Sequence, residues 1–319
     1  MGKKEHPLVW YYDDPEHFAG LINGWLFHGS ERLRPGDISD ADRRSLTRRG
    51  KTQYHELYRD LFKQVGGTAL RLLIGVEEQG HIHYAMPVRI MDYDSTSYSA
   101  QKTAITGRHR RAKDLRDDEF LSGFSRKDRL LPVITLVLYC GDAPWDGALR
   151  LHELLDLDRV PPELRSFIMD YRIHVLDICH TPDEDLKKFP PDIRTMFLFF
   201  KYKDDPVRLL ELLADAEDVA CGTCEVIAEC TGEPRLSQFQ AGREGGKISM
   251  CKAIDILIAD GEMRGEKRGE KKGKKKGYRL GAAHERRNTE RERLRADQAE
   301  ARVRETESRV RELERLLNL

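Results

Sequence analysis

Two apolar runs, residues 133–139 (VITLVLY) and 173–178 (IHVLDI), restrict the possible folds of this chain more than any other feature. Both are short and rich in β-branched residues, which suits strands buried on both faces. Upstream, residues 54–65 (YHELYRDLFKQV) and 69–78 (ALRLLIGVEE) flank the pair Gly66-Gly67 and read as a β-hairpin. Helix-like stretches around 91–102 and 148–155 separate these strands. Hairpin, helix, strand, helix, strand predicts an α/β fold with a mixed sheet flanked by helices.

The flanks of this pattern differ from it. Residues 14–27 (DPEHFAGLINGWLF) place Phe18, Leu21, Ile22, Trp25 and Leu26 on one stripe behind an Asp-Pro start, a helix laid on a core. Residues 31–51 are polar, contain Pro35-Gly36, and read as a long connection. Beyond Asp183 only helical periodicity appears as far as residue 260, as in 207–219 and 248–258. The expected division is therefore 1–182 for the sheet-containing domain, 183–260 for a helical subdomain and 261–319 for a tail.

Composition narrows the class. An apolar share of 39% over 319 residues is too high for a disordered polymer and enough for one or two packed domains. The longest apolar stretch, residues 130–140 (LLPVITLVLYC), is too short to span a bilayer, and the start MGKKEHPLVW lacks the apolar run of a signal peptide, so a cytoplasmic location is expected. Six cysteines are too sparse for a disulfide framework. Cys221-Gly222-Thr223-Cys224 has the spacing of half a zinc or redox site, but no second CxxC and no nearby HxxxH completes it, which favours small helix-packing residues.

A formal net charge of zero conceals an asymmetry. Residues 261–319 hold 19 Lys+Arg against 12 Asp+Glu, which leaves a mildly acidic body and a basic tail suited to a polyanion. In that tail glycine recurs at 261, 265, 269, 273, 277 and 281, and each costs a helix roughly 1 kcal/mol relative to alanine, so this stretch is expected to be a marginal, partly flexible helix. From Ala296 a heptad follows, with Ala296, Val303, Val310 and Leu317 at one seam position and Ala299, Thr306 and Leu313 at the other. The seam offers a homodimer contact; a single charged helix is the alternative.

The most informative chemistry lies where an apolar strand runs into Glu77-Glu78-Gln79. Glu77 and Gln79 share a face because strand side chains alternate. Asp60 lies 17 residues before Glu77 on the partner segment. A two-residue turn at Gly66-Gly67 would pair Asp60 with Leu73, leaving it roughly 13 Å short of Glu77. A wider loop, about 66–71, or a bulge would set Asp60 opposite Glu77. Two convergent carboxylates suit Mg²⁺, which binds through one or two carboxylates plus water and phosphate oxygens.

The blocks 58–63 (YRDLFK), 74–101 (IGVEEQGHIHYAMPVRIMDYDSTSYSAQ), 131–155 (LPVITLVLYCGDAPWDGALRLHELL) and 250–269 (MCKAIDILIADGEMRGEKRG) resemble the Rpn family, a recombination-promoting nuclease and transposase group with the PD-(D/E)XK nuclease fold. The resemblance spans roughly residues 15–270, with several blocks in the right order. It implies a Mg²⁺-dependent DNA endonuclease of transposon-like origin, in which Asp60 and Glu77 are the catalytic acids and metal ligands. The Glu78 backbone carbonyl is the third implied ligand. Gln79 stands where the wider superfamily has lysine; an amide can orient water or a phosphate but supplies no positive charge.

Further candidates follow. Tyr98 and Gln101 share a helix face, and related nucleases place polar residues of this helix beside the metal. Arg89 is a third secondary candidate, against pairing with a structural acid. Arg108, Arg110, Arg111 and Lys113, together with His109 and Arg116, are expected to form a basic loop able to hold DNA phosphates. His81 and His83 have no third ligand in the sequence around them. The rival to an endonuclease is a catalytically inactive DNA-binding or oligomerisation scaffold that keeps the nuclease fold.

Overall fold

The computed structural model describes residues 7–41, 44–49, 53–67, 70–214, 218–233, 236, 247–248 and 250–317. Two compact units are present, Met1–Ile254 and Asp255–Leu319. In chain order the first unit opens with helices α1 (Pro7–Asp13) and α2 (Pro15–Leu26), then strands β1 (Ile38–Asp40), β2 (Arg44–Arg49), β3 (Gln53–Tyr58), β4 (Leu61–Gly66) and β5 (Arg71–Gln79). Helices α3 (Met86–Ala112) and α4 (Asp117–Ser122) lead to β6 (Val133–Tyr139), α5 (Pro162–Arg165) and β7 (His174–Asp177). Helices α6 (Asp183–Leu186), α7 (Pro191–Lys201) and α8 (Pro206–Leu213) precede β8 (Val219–Ala220), α9 (Cys221–Thr231), β9 (Lys247–Ile248) and the 68-residue α10 (Met250–Leu317).

Five strands form one mixed sheet in the order β1-β4-β5-β6-β7. β4 runs antiparallel to β1 and β5, while β5, β6 and β7 are parallel. The parallel step from β5 to β6 requires a long crossover, which α3 supplies. Met86, Ile90 and Tyr93 of α3 pack against Val137 and Ile173 to form the core on one sheet face. On the other face Lys63 of β4 is buried and donates to Asp13, 2.7 Å, at the end of α1 and to Asp40, 2.6 Å, of β1. α2 starts where expected because Asp14 Oδ1 accepts from the Glu16 and His17 amides at 2.8 and 3.3 Å.

Several expectations are corrected. The polar segment 31–51 contains β1, an edge strand of the five-stranded sheet where polar residues are tolerated because they stay exposed, and β2, which pairs with β3 in a separate two-stranded sheet. Residues 54–65 are two strands, broken at Arg59-Asp60. The helix expected at 91–102 extends over Met86–Ala112, so Arg108, Arg110 and Arg111 end a helix and are not in a loop. Lys and Arg propagate a helix well, and only the left-handed Lys113, φ 53°, stops it. Residues 148–155 form a 3-10 turn over Leu151–Leu154, since the Leu151 amide bonds to the Tyr171 carbonyl and the Ile173 amide to that of Leu149, across to a neighbouring segment. Val219 and Ile248 lie in the short pair β8–β9, so residues 184–260 are not solely helical.

The helices after residue 183 pack on those at the N-terminus: α9 against α1, and α7 against α2, with Tyr11 OH 3.1 Å from Thr223 Oγ1. Cys221 and Cys224 lie within α9, and burial pushes the Cys224 thiol up to about 12, which suits a packing residue. In the second unit the glycine-spaced stretch is helical, its gaps filled by good helix formers and a Glu270–Lys274 pair at 2.7 Å. No helix among the described residues is long and apolar enough to cross a membrane.

Candidate functional site

The β4–β5 ladder pairs Leu61 with Val76 and Gly66 with Arg71, so four residues of sequence separate the two strands. This is the wider of the two alternatives that the Gly pair left open. Continued by one residue, the same register sets Asp60 opposite Glu77. Asp60 Oδ2 accepts from the Glu78 amide at 2.8 Å, which ties the end of one strand to the acidic end of the other.

Glu77 has no exposed surface. It faces α3 because its β6 partner, Val137, belongs to the core on that side. Its Oε1 accepts from Arg89 Nη2 in a close ion pair, from Gln79 Nε2 at 3.4 Å and from Tyr93 OH at 3.5 Å. Its Oε2 is buried and makes no hydrogen bond of good geometry. Burial, followed by the neighbouring Asp60 charge, pushes the carboxyl pKa up to about 8; Arg89 and the Asp60 amide pull it down in part. Burial thus favours the protonated form of this carboxyl, while the Arg89 guanidinium beside Oε1 favours the charged one.

Gln79 Nε2 also donates to the Glu78 carbonyl at 2.7 Å. The amide nitrogen thus touches two of the atoms expected to face a metal. A cation would compete with Gln79 for the Glu78 carbonyl and with Arg89 for Glu77. Among the described residues no group of three His, Cys, Asp or Glu side chains is placed to hold a metal. A divalent ion here would therefore depend on two carboxylates, one carbonyl and water, a set that fits Mg²⁺ better than zinc. The unsatisfied Oε2 is the observation in favour of that fit.

The structure brings Asp60, Glu77, Glu78, Gln79 and Arg89 together. It does not bring Tyr98 and Gln101 to them. Tyr98 OH accepts from the Val133 amide at 3.1 Å, and Gln101 bonds both ways to the Leu131 backbone at 2.7 and 3.1 Å, so both fasten the start of β6. Val133 pairs with Leu73, four residues before Glu77 and roughly 13 Å along the strand. Arg108, Arg110, Arg111 and Lys113 are exposed at the far end of α3, where Arg108 also reaches Asp128 at 3.2 Å. His81 and His83 are exposed just past β5.

Sequence reasoning missed the support beneath the acids. Arg59, buried and adjacent to Asp60, donates to Asp94 Oδ1 at 2.6 Å and to Ser97 Oγ at 2.8 Å. Its guanidinium lies over the Phe62 ring, 4.3 Å from the centroid. Asp94 further accepts from Thr135 Oγ1 at 2.6 Å and from Tyr171 OH in a short bond. One signal was available: a glycine interrupts an apolar strand at Gly75, where a Cβ would come within 3.2 Å of both Arg59 Cδ and Thr135 Oγ1.

The fold and this cluster define an α/β protein with a mixed five-stranded sheet and an acidic site at the end of a central strand. Residues 71–220, just under half of the chain, match the family model Transposase_31, described as "Putative transposase, YhgA-like", and this stretch is similar to that family. The matched span contains Glu77, Gln79 and Arg89 and begins after Asp60. No curated protein and no solved structure gives a significant match.

Proposed function

We propose that this chain is a Mg²⁺-dependent DNA endonuclease with a PD-(D/E)XK nuclease-like core at 1–182, a helical part at 183–260 and a basic tail at 261–319, acting in recombination or transposon-like DNA processing. One observation carries the reading: Asp60 is bonded to the Glu78 amide at 2.8 Å, in register with a buried Glu77 whose Oε2 is unsatisfied. Asp60, Glu77 and the Glu78 carbonyl are the groups that would hold the ion. Once bound, Mg²⁺ supplies an activated water and neutralises charge developing on the phosphodiester.

The chain's own residues supply the remaining functions. Gln79, released from the Glu78 carbonyl, orients water or the scissile phosphate. Arg89 is the fixed positive charge of the site and offsets the missing lysine. Arg108, Arg110, Arg111 and Lys113 contact phosphates along α3, a contribution that weakens as salt rises. The transposase family itself supports DNA as the partner, and the heptad supports a homodimer.

Supercoiled-plasmid nicking tests this. Wild type is expected to nick with Mg²⁺ and not with EDTA, while Asp60→Asn and Glu77→Gln lose about a hundredfold or more, the scale of an electrostatic contribution to a transition state. Activity in either variant close to wild type removes the assignment. A second reading, the inactive DNA-binding or oligomerisation scaffold, is favoured by one feature: Gln79 and Arg89 already satisfy the Glu78 carbonyl and Glu77 Oε1.

A further inference from the structure

The end of α10 carries a charge pattern that the acid site does not use. Ala296, Val303, Val310 and Leu317 alternate with Ala299, Thr306 and Leu313 along one stripe of this helix. The described part of the stripe faces solvent: Val303 is 55% and Val310 52% exposed, and Ala296, Ala299 and Thr306 are exposed as well. Leu294 lies off the stripe, where Glu292 and Thr289 take the seam positions, so the pattern begins at Ala296.

The residues bordering the stripe are sorted by sign. Arg295, Arg302 and Arg309 directly precede the first seam residues, and Glu300, Glu307 and Glu314 directly follow the second. One border is all arginine and the other all glutamate. In a parallel two-stranded coil each residue of the first border meets the second border of its partner five positions further on. Arg295 then faces Glu300 of the second copy, Arg302 its Glu307 and Arg309 its Glu314, and symmetry doubles the set. An antiparallel pair would oppose arginine with arginine and glutamate with glutamate. β-branched Val303 and Val310 at the first seam position with Leu313 at the second also favour two strands over three.

We infer that residues 295–317 of α10 pair in parallel and in register with the same residues of a second copy of this chain. This deepens the homodimer reading by fixing its orientation, and it rests on the tail alone, so loss of the catalytic assignment would leave it standing. Glu300 also reaches Arg304 one turn along its own helix at 3.4 Å, a contact that competes with its inter-chain pair.

The test uses the full chain. Ala299→Cys and Thr306→Cys are made separately and oxidised mildly, with wild type and its native cysteines as the control. Each second-seam position faces its own copy in a parallel, in-register pair, so both variants should give a covalent dimer on a non-reducing gel and wild type should not. If neither variant or only one of them cross-links, the orientation is overturned. Light scattering should give a dimer mass for wild type. Arg302→Glu with Arg309→Glu, or Glu307→Arg with Glu314→Arg, should weaken that dimer by about tenfold or more, the scale on which like charges at these positions set partner choice. Mixing the two double variants should restore it. A monomeric wild type, or double variants that dimerise unchanged, would overturn the proposal.

Discussion

At the end of β5 a glutamate with no exposed surface is held among Arg89, Tyr93 and Gln79, whereas every described side chain from 285 to 312 in α10, charged or not, is exposed. In the first region each charge must find its partner inside the fold, because a buried charge left unpaired is costly. In the second, water already solvates the charges, and their pattern carries information about a partner. Removing one charge should therefore destabilise the fold severely in the first region and hardly at all in the second, where the loss falls on partner choice instead.

The largest effect is expected at Arg59. Arg59→Leu leaves Asp94 buried with only Thr135 and Tyr171 as donors, and should cost about 3–5 kcal/mol of unfolding free energy in urea. A loss below about 1 kcal/mol would show that the pair does not hold the site together. Next comes pH. Glu77 is protonated in folded and unfolded chains alike below about 4.5; between there and about 8 only the unfolded chain gives up its proton. Stability of the metal-free protein should therefore fall as pH rises through that window, by a few kcal/mol, and level off above it. Glu77→Gln should flatten the profile, and a wild-type curve without that fall would contradict the buried neutral carboxyl.

Gly75→Val tests the space between Arg59 and Thr135. Its Cβ would meet both at 3.2 Å, and overpacking of this kind costs about 1–3 kcal/mol, readable as a shift in the urea midpoint at constant slope. The smallest effect belongs to the exposed helix. Glu300→Ala removes a pair with Arg304 at 3.4 Å and should lower helix content only slightly, about 0.3–0.5 kcal/mol, as measured by circular dichroism. A larger loss at Glu300 than at Gly75 would invert the contrast between the two regions.

The legible parts of this molecule are those in which burial leaves a period. β6 matches the run VITLVLY residue for residue, β7 lies within 173–178, and α2 follows its Asp-Pro start. β1 and β2 were not legible because no apolar alternation marks either segment in the sequence. The hairpin was legible but its width was not: Gly66-Gly67 permits a tight turn, and the observed register comes from pairing along the whole of β4 and β5. In the site, Asp60, Glu77 and Gln79 could be picked out as polar residues around the end of an apolar strand. Arg59 and Asp94 could not, since they are 35 residues apart and each looks like any surface charge until the fold buries both. Tyr98 and Gln101 illustrate the converse error, in which polar residues on the right helix are used by the backbone of β6.

The central claim is that Asp60 and Glu77 hold one cation, and calorimetric titration of the metal-free full chain with Mg²⁺ tests it most directly. Binding with about one ion per chain is expected, tighter at pH 8 than at pH 6 and accompanied by proton release from Glu77, and abolished in Asp60→Asn and in Glu77→Gln. No binding by wild type, or equal binding by the variants, would contradict it.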